Sequence, residues 1–353
     1  MGIFERIYAP FSNDIGIDLG TANSLVYLRG KGVIITEPSV VALNQKSGQV
    51  VAVGRQAKDM LGRTPQHIRA VRPLVNGVVS DFEVAEEMLA YFLRKAQRGT
   101  RSMIGPRVVI GVPSGITNVE SRAVRDAAKN AGAREVHIVE EPVAAAVGMR
   151  LPIHEARATM VVDVGGGTTD VAVMSLSGLV VSRNLHTAGD RLNADIIGHL
   201  RNEFKIVVGE TTAEELKFAI CSVFEHEQPL EAPVRGRDLV TGLPKEVVIT
   251  DEDIRDAIGT SVDAIIEAIR AVLEESPPMV VADIMQVGIH LTGGGALIRG
   301  VPELLSHMLE LPVNVAHDPL TSVVRGTGVI VEQLDTYRDI LLDDDALPAF
   351  DHS

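Results

Sequence analysis

The sequence lacks most of the features that would place its 353 residues in several large classes of protein. It has one cysteine, Cys221, so an internal disulfide framework is excluded and a reducing compartment is expected. Its ten histidines show no ligand spacing with that cysteine, and no zinc site can be read. Basic residues number 33 against 47 acidic ones, a net charge of −14, which argues against nucleic acid as a partner. No run of about 18 apolar residues exists, so no spanning helix is expected. The N-terminus has neither the apolar core nor the small-residue cleavage site of a signal peptide, and the expected location is cytoplasmic. What is present is a folded chain, 46% apolar and 23% charged, long enough for two domains.

Strand-like, turn-rich and helical stretches alternate, which predicts an α/β fold. Within them lies an internal repeat. Ile17-Asp18-Leu19-Gly20-Thr21-Ala22-Asn23-Ser24-Leu25-Val26-Tyr27-Leu28 aligns without gaps on Val162-Asp163-Val164-Gly165-Gly166-Gly167-Thr168-Thr169-Asp170-Val171-Ala172-Val173. Each copy is an apolar strand carrying Asp, a glycine turn with polar residues, and a second strand, which predicts two hairpins with polar tips. A strand–turn–helix unit follows each. The first runs through residues 107–113 and Ser114-Gly115 into a helix with a Thr117/Glu120 capping box, stopped at Gly132. The second runs through residues 287–292 and Gly293-Gly294-Gly295 into a helix ending near Met308. This order predicts a duplicated domain, with residues 36–72 and 186–259 as one insertion in each copy. Further helices are predicted at 81–97 (Ser80/Glu83 capping box), 190–205, 212–226 (Thr212/Glu215 box) and 252–275, before Pro277-Pro278. The acidic tail, residues 343–353, is expected to fray.

Backbone N–H groups approach phosphate oxygens closely only where no Cβ intervenes, and glycine provides that. Gly20 with Thr21, Ala22 and Asn23, and Gly165, Gly166 and Gly167 with Thr168 and Thr169, form two such loops. Either loop alone reads equally as a tight hairpin. The matched pair, each with Asp two residues before its first glycine, reads as a grip on one phosphate chain from both sides. Asp18 and Asp163 then fall at corresponding strand ends. Two carboxylates beside a polyphosphate need a cation, and magnesium, which takes one or two carboxylates with phosphate oxygens and water, fits. One Asp by itself would also be satisfied by hairpin amides.

Residues 15–24 resemble the first phosphate motif of the actin, heat-shock chaperone and sugar-kinase ATPase superfamily, and residues 161–171 resemble the second. Leu291-Thr292-Gly293-Gly294-Gly295-Ala296 resembles its adenosine motif. Ile138-Val139-Glu140-Glu141-Pro142-Val143-Ala144-Ala145-Ala146 resembles the connecting stretch that places the catalytic group. Arg72-Pro73-Leu74-Val75-Asn76-Gly77-Val78-Val79-Ser80-Asp81-Phe82 is similar to a segment of the MreB family of bacterial actins, departing from it at Leu74, Val75 and Asn76, where a lysine is lost. The match covers roughly residues 12–335.

The resemblance implies a duplicated actin-like (ribonuclease H-like) fold of two domains, each with an inserted subdomain, and a nucleotide cleft between them. Its subdomains would be residues 1–35, 73–152 and 330–353 (IA), 36–72 (IB), 153–185 and 260–329 (IIA), and 186–259 (IIB). It implies ATP and Mg2+ as ligands. Glu141 would orient the attacking water and accept its proton, with Thr168 beside the phosphates and Glu140 as the competing carboxylate. Pro142 at the first helical position would leave Glu141 at the positive end of a helix. Glu214, Glu215, Leu216 and Lys217 would lie by ribose and adenine, and Gly189 and Asp190 near the phosphates. A solvated i, i+3 pair is the competing reading of Glu214 and Lys217, and Glu215 reads more simply as the cap partner of Thr212.

A further implication is a slow ATPase that polymerises with itself into filaments at the inner face of the cytoplasmic membrane. There it would organise the cell-wall elongation machinery and maintain rod shape. A chaperone-type ATPase or a small-molecule kinase on the same fold is the alternative. The kinase would need a base beside an acceptor pocket, and no candidate is better than Glu141; a missing client-binding region counts against the chaperone. Two stretches read as membrane contacts. Ile3, Phe4, Ile7, Tyr8 and Phe11 form one apolar stripe, limited by Pro10. Met103 and Ile104 sit among Arg94, Lys95, Arg98, Arg101 and Arg107. Packing of the stripe on the chain's own first domain, and a solvated basic helix end, are the competing readings.

Overall fold

The computed structural model describes residues 13–98, 105–225 and 228–342. Ile3, Phe4, Ile7, Tyr8, Phe11, Met103, Ile104 and the acidic tail lie outside these residues. The chain divides into two compact units. The first comprises Met1–Glu155, Leu176–Gly178 and Thr321–Ser353; the second comprises Ala156–Ser175 and Leu179–Leu320.

The first unit is built on a five-stranded sheet in the order Glu135–Glu140, Arg107–Val112, Ile15–Leu19, Asn23–Leu28, Gly32–Pro38. The last three form an antiparallel meander, and the first two run parallel beside Ile15–Leu19. The second unit has the same arrangement. Thr159–Val164 pairs antiparallel with Thr169–Ser175 and parallel with Ile289–Thr292, which pairs parallel with Val313–Val315; Gly178–Leu185 closes the meander side. The hairpin repeat in the sequence is thus a repeat of sheet topology.

Side-chain alternation decides what covers each face. Ile15, Ile17 and Leu19 are buried in a core shared with helices Phe82–Ala96 and Asn118–Asn130. Gly16 faces the other way, where a Cβ would lie 2.6 Å from Thr327 Oγ1 of helix Ser322–Glu332. That helix also packs on helix Glu141–Gly148 at close range. A Cβ on Gly148 would stand 2.0 Å from the Ser322 carbonyl oxygen, and one on Gly326 would stand 1.7 Å from that of Ala144. Helix Ser322–Glu332 was not foreseen from the sequence. By compactness the chain rejoins the first unit at Thr321, so this helix belongs to that unit.

The Thr117/Glu120 capping box forms. Helix Phe82–Ala96 is capped instead by Asp81, which accepts the Val84 N–H, while Ser80 Oγ donates to the Arg72 and Pro73 carbonyls. The Thr212/Glu215 box does not form, because helix Glu210–Ile220 begins earlier, after Gly209, and takes both residues into its interior. Past Gly293 the chain makes a 3-10 turn, Gly294–Leu297, before helix Val301–Leu309 starts at the left-handed Gly300 (φ 83°). The 186–259 segment holds an unforeseen antiparallel sheet of Ile206–Val207, Glu231–Asp238 and Pro244–Thr250 beside its two helices. Helix Pro278–Val287 was missed as well, hidden behind the Pro277-Pro278 stop signal. The 36–72 segment forms a small sheet of Val50–Val53, Val41–Asn44 and Ile68–Val71. No helix among the described residues is long and apolar enough to cross a membrane.

Candidate functional site

In the first unit the hairpin tip after Leu19 is held by two residues outside its phosphate motif, Gly77 and Ser39. Buried Thr21 accepts the Gly77 N–H on its Oγ1 at 2.8 Å. Ser39 Oγ donates to the Gly20 carbonyl at 2.6 Å and lies 2.8 Å from Ser24 Oγ, and the Ser39 N–H donates to the Ala22 carbonyl at 3.0 Å. Asn23, at the start of the second strand, is exposed. Gly77 belongs to a tight hairpin in which Asn76 and Gly77 have φ of 51° and 75°, and a Cβ there would meet Pro113 Cγ at 2.1 Å. The Asn-Gly pair was the available signal for this turn.

Asp18 lies on the Gly16 face and pairs in register with Gly111 of the neighbouring parallel strand. Glu141 covers that position: its Cγ is 3.5 Å from where a Gly111 Cβ would be, and it is only 8% exposed. Glu141 is the first residue of its helix and Glu140 the cap, so Pro142 falls one position later than expected. Glu140 turns elsewhere, accepting the Gly115 N–H on Oε1 at 3.1 Å. The two adjacent carboxylates therefore occupy different surroundings.

Asp18 is half-buried by area, yet burial pushes its carboxyl up from 3.8 to about 7. The metal-free folded state thus holds this proton more firmly than the unfolded chain, so the residue's contribution to stability falls as pH rises from about 4 to about 7. Asp18→Asn should accordingly gain stability over wild type in metal-free buffer at pH 8 and show no gain at pH 4. Denaturant titrations at both pH values check this; an equal difference at the two would remove the burial effect.

In the second unit the pieces read from the sequence meet. Asp163, 7% exposed, stands one residue before the end of its strand, as Asp18 does. The turn at residues 165–168 closes with the Gly165 N–H on the Thr168 carbonyl at 2.9 Å. Thr168 is buried, and Thr169 Oγ1 donates to the Thr187 carbonyl at 2.7 Å. Helix Gly189–Asn202 abuts this turn. Its Gly189 N–H donates to the Gly165 carbonyl at 3.2 Å and its Asp190 N–H to that of Gly166 at 2.7 Å. Lys217 Nζ donates to the Gly189 carbonyl at 2.8 Å. A Cβ on Gly293 (φ 81°) would stand 2.3 Å from Asp163 Oδ1, and one on Gly295 would stand 2.2 Å from Val164 Cγ1. Around Lys217 the four-residue stretch divides: Glu214 is half-buried, Glu215 is exposed, and the Leu216 side chain is buried in a core with Ile196 and Ile220. Leu216 therefore serves packing, and Ala296 likewise joins the second unit's core.

A family model described as MreB/Mbl protein matches residues 12–339. The chain belongs to the MreB/Mbl family. Cell shape-determining protein MreB of Pasteurella multocida is 46% identical over 349 residues, 97% of this chain and 99% of that one. Cell shape-determining protein Mbl of Bacillus subtilis is 44% identical over 326 residues, 92% of this chain and 97% of that one. Among solved structures, MreB5 of Spiroplasma citri bound to ADP has a TM-score of 0.88 at 37% identity, covering 93% of this chain and 98% of that one. The duplicated, actin-like α/β fold expected from the motifs is the fold of these MreB/Mbl relatives.

Proposed function

We propose that this MreB/Mbl-family chain binds ATP with magnesium, hydrolyses it slowly, and polymerises into filaments on the inner face of the cytoplasmic membrane. There it organises cell-wall elongation and maintains cell shape. The nucleotide reading is carried by the meeting of the 165–168 turn, the amide end of helix Gly189–Asn202 and Lys217 in the second unit. Helix N-termini and glycine turns are anion-binding elements in general, and here the Gly189 and Asp190 N–H groups brace the glycine turn against its helix. The ADP in the Spiroplasma structure and the shape-determining role named for the Pasteurella relative point the same way.

In this reading the two hairpin tips hold the phosphates, Lys217 adds positive charge, and residues 293–296 adjoin the adenosine. Glu141 orients the water and accepts its proton, with Thr168 at the phosphates. The residues present fit magnesium. Asp18 and Asp163 are hard oxygen donors at equivalent strand ends, desolvation raises the Asp18 carboxyl, and the missing Cβ of Gly293 leaves room beside Asp163 Oδ1. When bound, the cation neutralises phosphate charge. ATP with magnesium should raise the melting temperature, as a ligand selective for the native state must. Asp163→Ala should lose the magnesium-dependent part, and equal shifts in both proteins would take Asp163 out of the metal site.

The membrane reading is supported by strand register. Ile15 pairs with Val108 in adjacent parallel strands, so the described residues Asp14 and Pro106 stand at one end of the sheet. In the sequence, Ile3, Phe4, Ile7, Tyr8 and Phe11 precede the first of these strands, and Met103 and Ile104 precede the second. Buried Asp14 ties that end together, with Arg29 at 3.1 Å and Arg107 at 2.7 Å. Polymerised protein should float with anionic liposomes. Deleting residues 2–9, with Met103→Ser and Ile104→Ser, should abolish flotation, since each fully buried apolar side chain contributes roughly 1.5–3 kcal/mol. Undiminished flotation at low and high salt would sink the membrane reading.

A further inference from the structure

A buried cation fastens the end of the described chain to the strand that delivers Glu141. Strand Glu135–Glu140 is outermost in the first unit's sheet, with Arg107–Val112 as its ladder partner. Carbonyls alternate along a strand, so those of Val136 and Ile138 face the outer side together. The Val136 carbonyl accepts from Arg125 Nη1 at 3.0 Å, and the Ile138 carbonyl accepts the Leu342 N–H at 2.8 Å. Arg125 Nη2 donates to the Leu342 carbonyl at 2.9 Å. One guanidinium thus links the strand to the segment that closes its edge.

Arg125 sits on helix Asn118–Asn130 and is 8% exposed, and the Leu342 side chain packs against the first unit's core. Burying a guanidinium has a desolvation cost that an apolar side chain would not incur. What the cation supplies instead is a planar fork that holds two carbonyls at fixed separation. Beyond Ile138 the strand ends at Glu140, which caps the helix that Glu141 opens. The placement of Glu141 over Gly111 therefore depends on where this outer strand lies.

We propose that Arg125 and the Leu342 backbone form a strap that fixes strand Glu135–Glu140 and so positions Glu141 for hydrolysis. Arg125 is a positioning residue. The proposal rests on Glu141 being the water-orienting carboxylate. Leu342→Pro removes the N–H that reaches Ile138, and Arg125→Met removes the fork while keeping bulk. In the full chain each should leave ATP affinity within about twofold and lower single-turnover hydrolysis about tenfold. Arg125→Lys, able to reach one carbonyl at a time, should recover part of the rate. Glu141→Ala in the same assay separates the two levels. If Glu141→Ala hydrolyses at the wild-type rate, the reading of Glu141 falls and the strap with it. If Glu141→Ala is slow while Leu342→Pro and Arg125→Met keep the full rate, the strap alone is overturned. A loss of ATP affinity in step with the rate also overturns it, because the strap would then serve stability only.

Discussion

Glu141→Ala should bind ATP as tightly as wild type and hydrolyse it about 10²–10⁴-fold more slowly in a single turnover, the range a positioned general base contributes. The side chain is 8% exposed, lies over Gly111, and so stands beside the strand pair that holds Asp18. No phosphate contact is assigned to it, so affinity should survive. Glu140→Ala should differ. Its carboxylate is engaged with the Gly115 N–H, so its loss should disturb that turn and leave the rate nearly intact. If Glu140→Ala proves the slow variant and Glu141→Ala the normal one, the roles are reversed.

Gly326→Ala should be among the most damaging small substitutions in the protein. The added Cβ would lie 1.7 Å from the Ala144 carbonyl oxygen and 2.5 Å from its carbon, both backbone atoms that no rotamer change can move. Overpacking of this kind costs about 1–3 kcal/mol and more where backbone must shift, so a loss near the top of that range is expected. Helix Glu141–Gly148 would be displaced with it, and hydrolysis should fall together with melting temperature. Gly259→Ala provides the opposite case. It lies within helix Asp251–Glu275 with nothing within 4 Å of the added Cβ, so it should stabilise by about 0.5–1 kcal/mol. Thermal or denaturant unfolding of both variants decides; a neutral Gly326→Ala would refute the packing argument.

The same glycine explains one limit of the sequence reading. Ser322-Val323-Val324-Arg325-Gly326-Thr327-Gly328-Val329 reads as an interrupted apolar run because glycine disfavours helix by itself. Here the two glycines are what let a helix approach Ala144 and Tyr27, and only the tertiary structure supplies the reason for them. The two glycine hairpins were legible because their pattern is local: Asp, a turn and a strand follow within a few residues, twice. Capping boxes divided on the same principle. Thr117/Glu120 forms as read, but Asp81 displaces Ser80 once Ser80 turns to the Pro73 carbonyl, a partner that the turn brings within reach. The hairpin Glu231–Asp238 to Pro244–Thr250 escaped notice because its outward residues, among them Arg235 and Glu246, are charged and its inward ones few. Of the candidate site, the Gly77 and Ser39 supports of the first loop were illegible for a different reason. They come from segments remote in sequence, and hydrogen bonds across such distances leave no periodicity.

The interleaving of the two units also bears on how the chain emerges from a ribosome. Synthesis delivers the first unit's sheet early, but the helix that seals its Gly16 face lies beyond Thr321. The second unit, by contrast, is almost continuous from Ala156 to Leu320. N-terminal domains ordinarily complete themselves first during translation. Here the order inverts: the later-made unit can close while the earlier one waits with a sheet face only partly covered by helix Glu141–Gly148. A nascent chain halted just short of Thr321 would therefore carry one finished body and one open one, whose apolar face is a target for chaperones until the last stretch arrives.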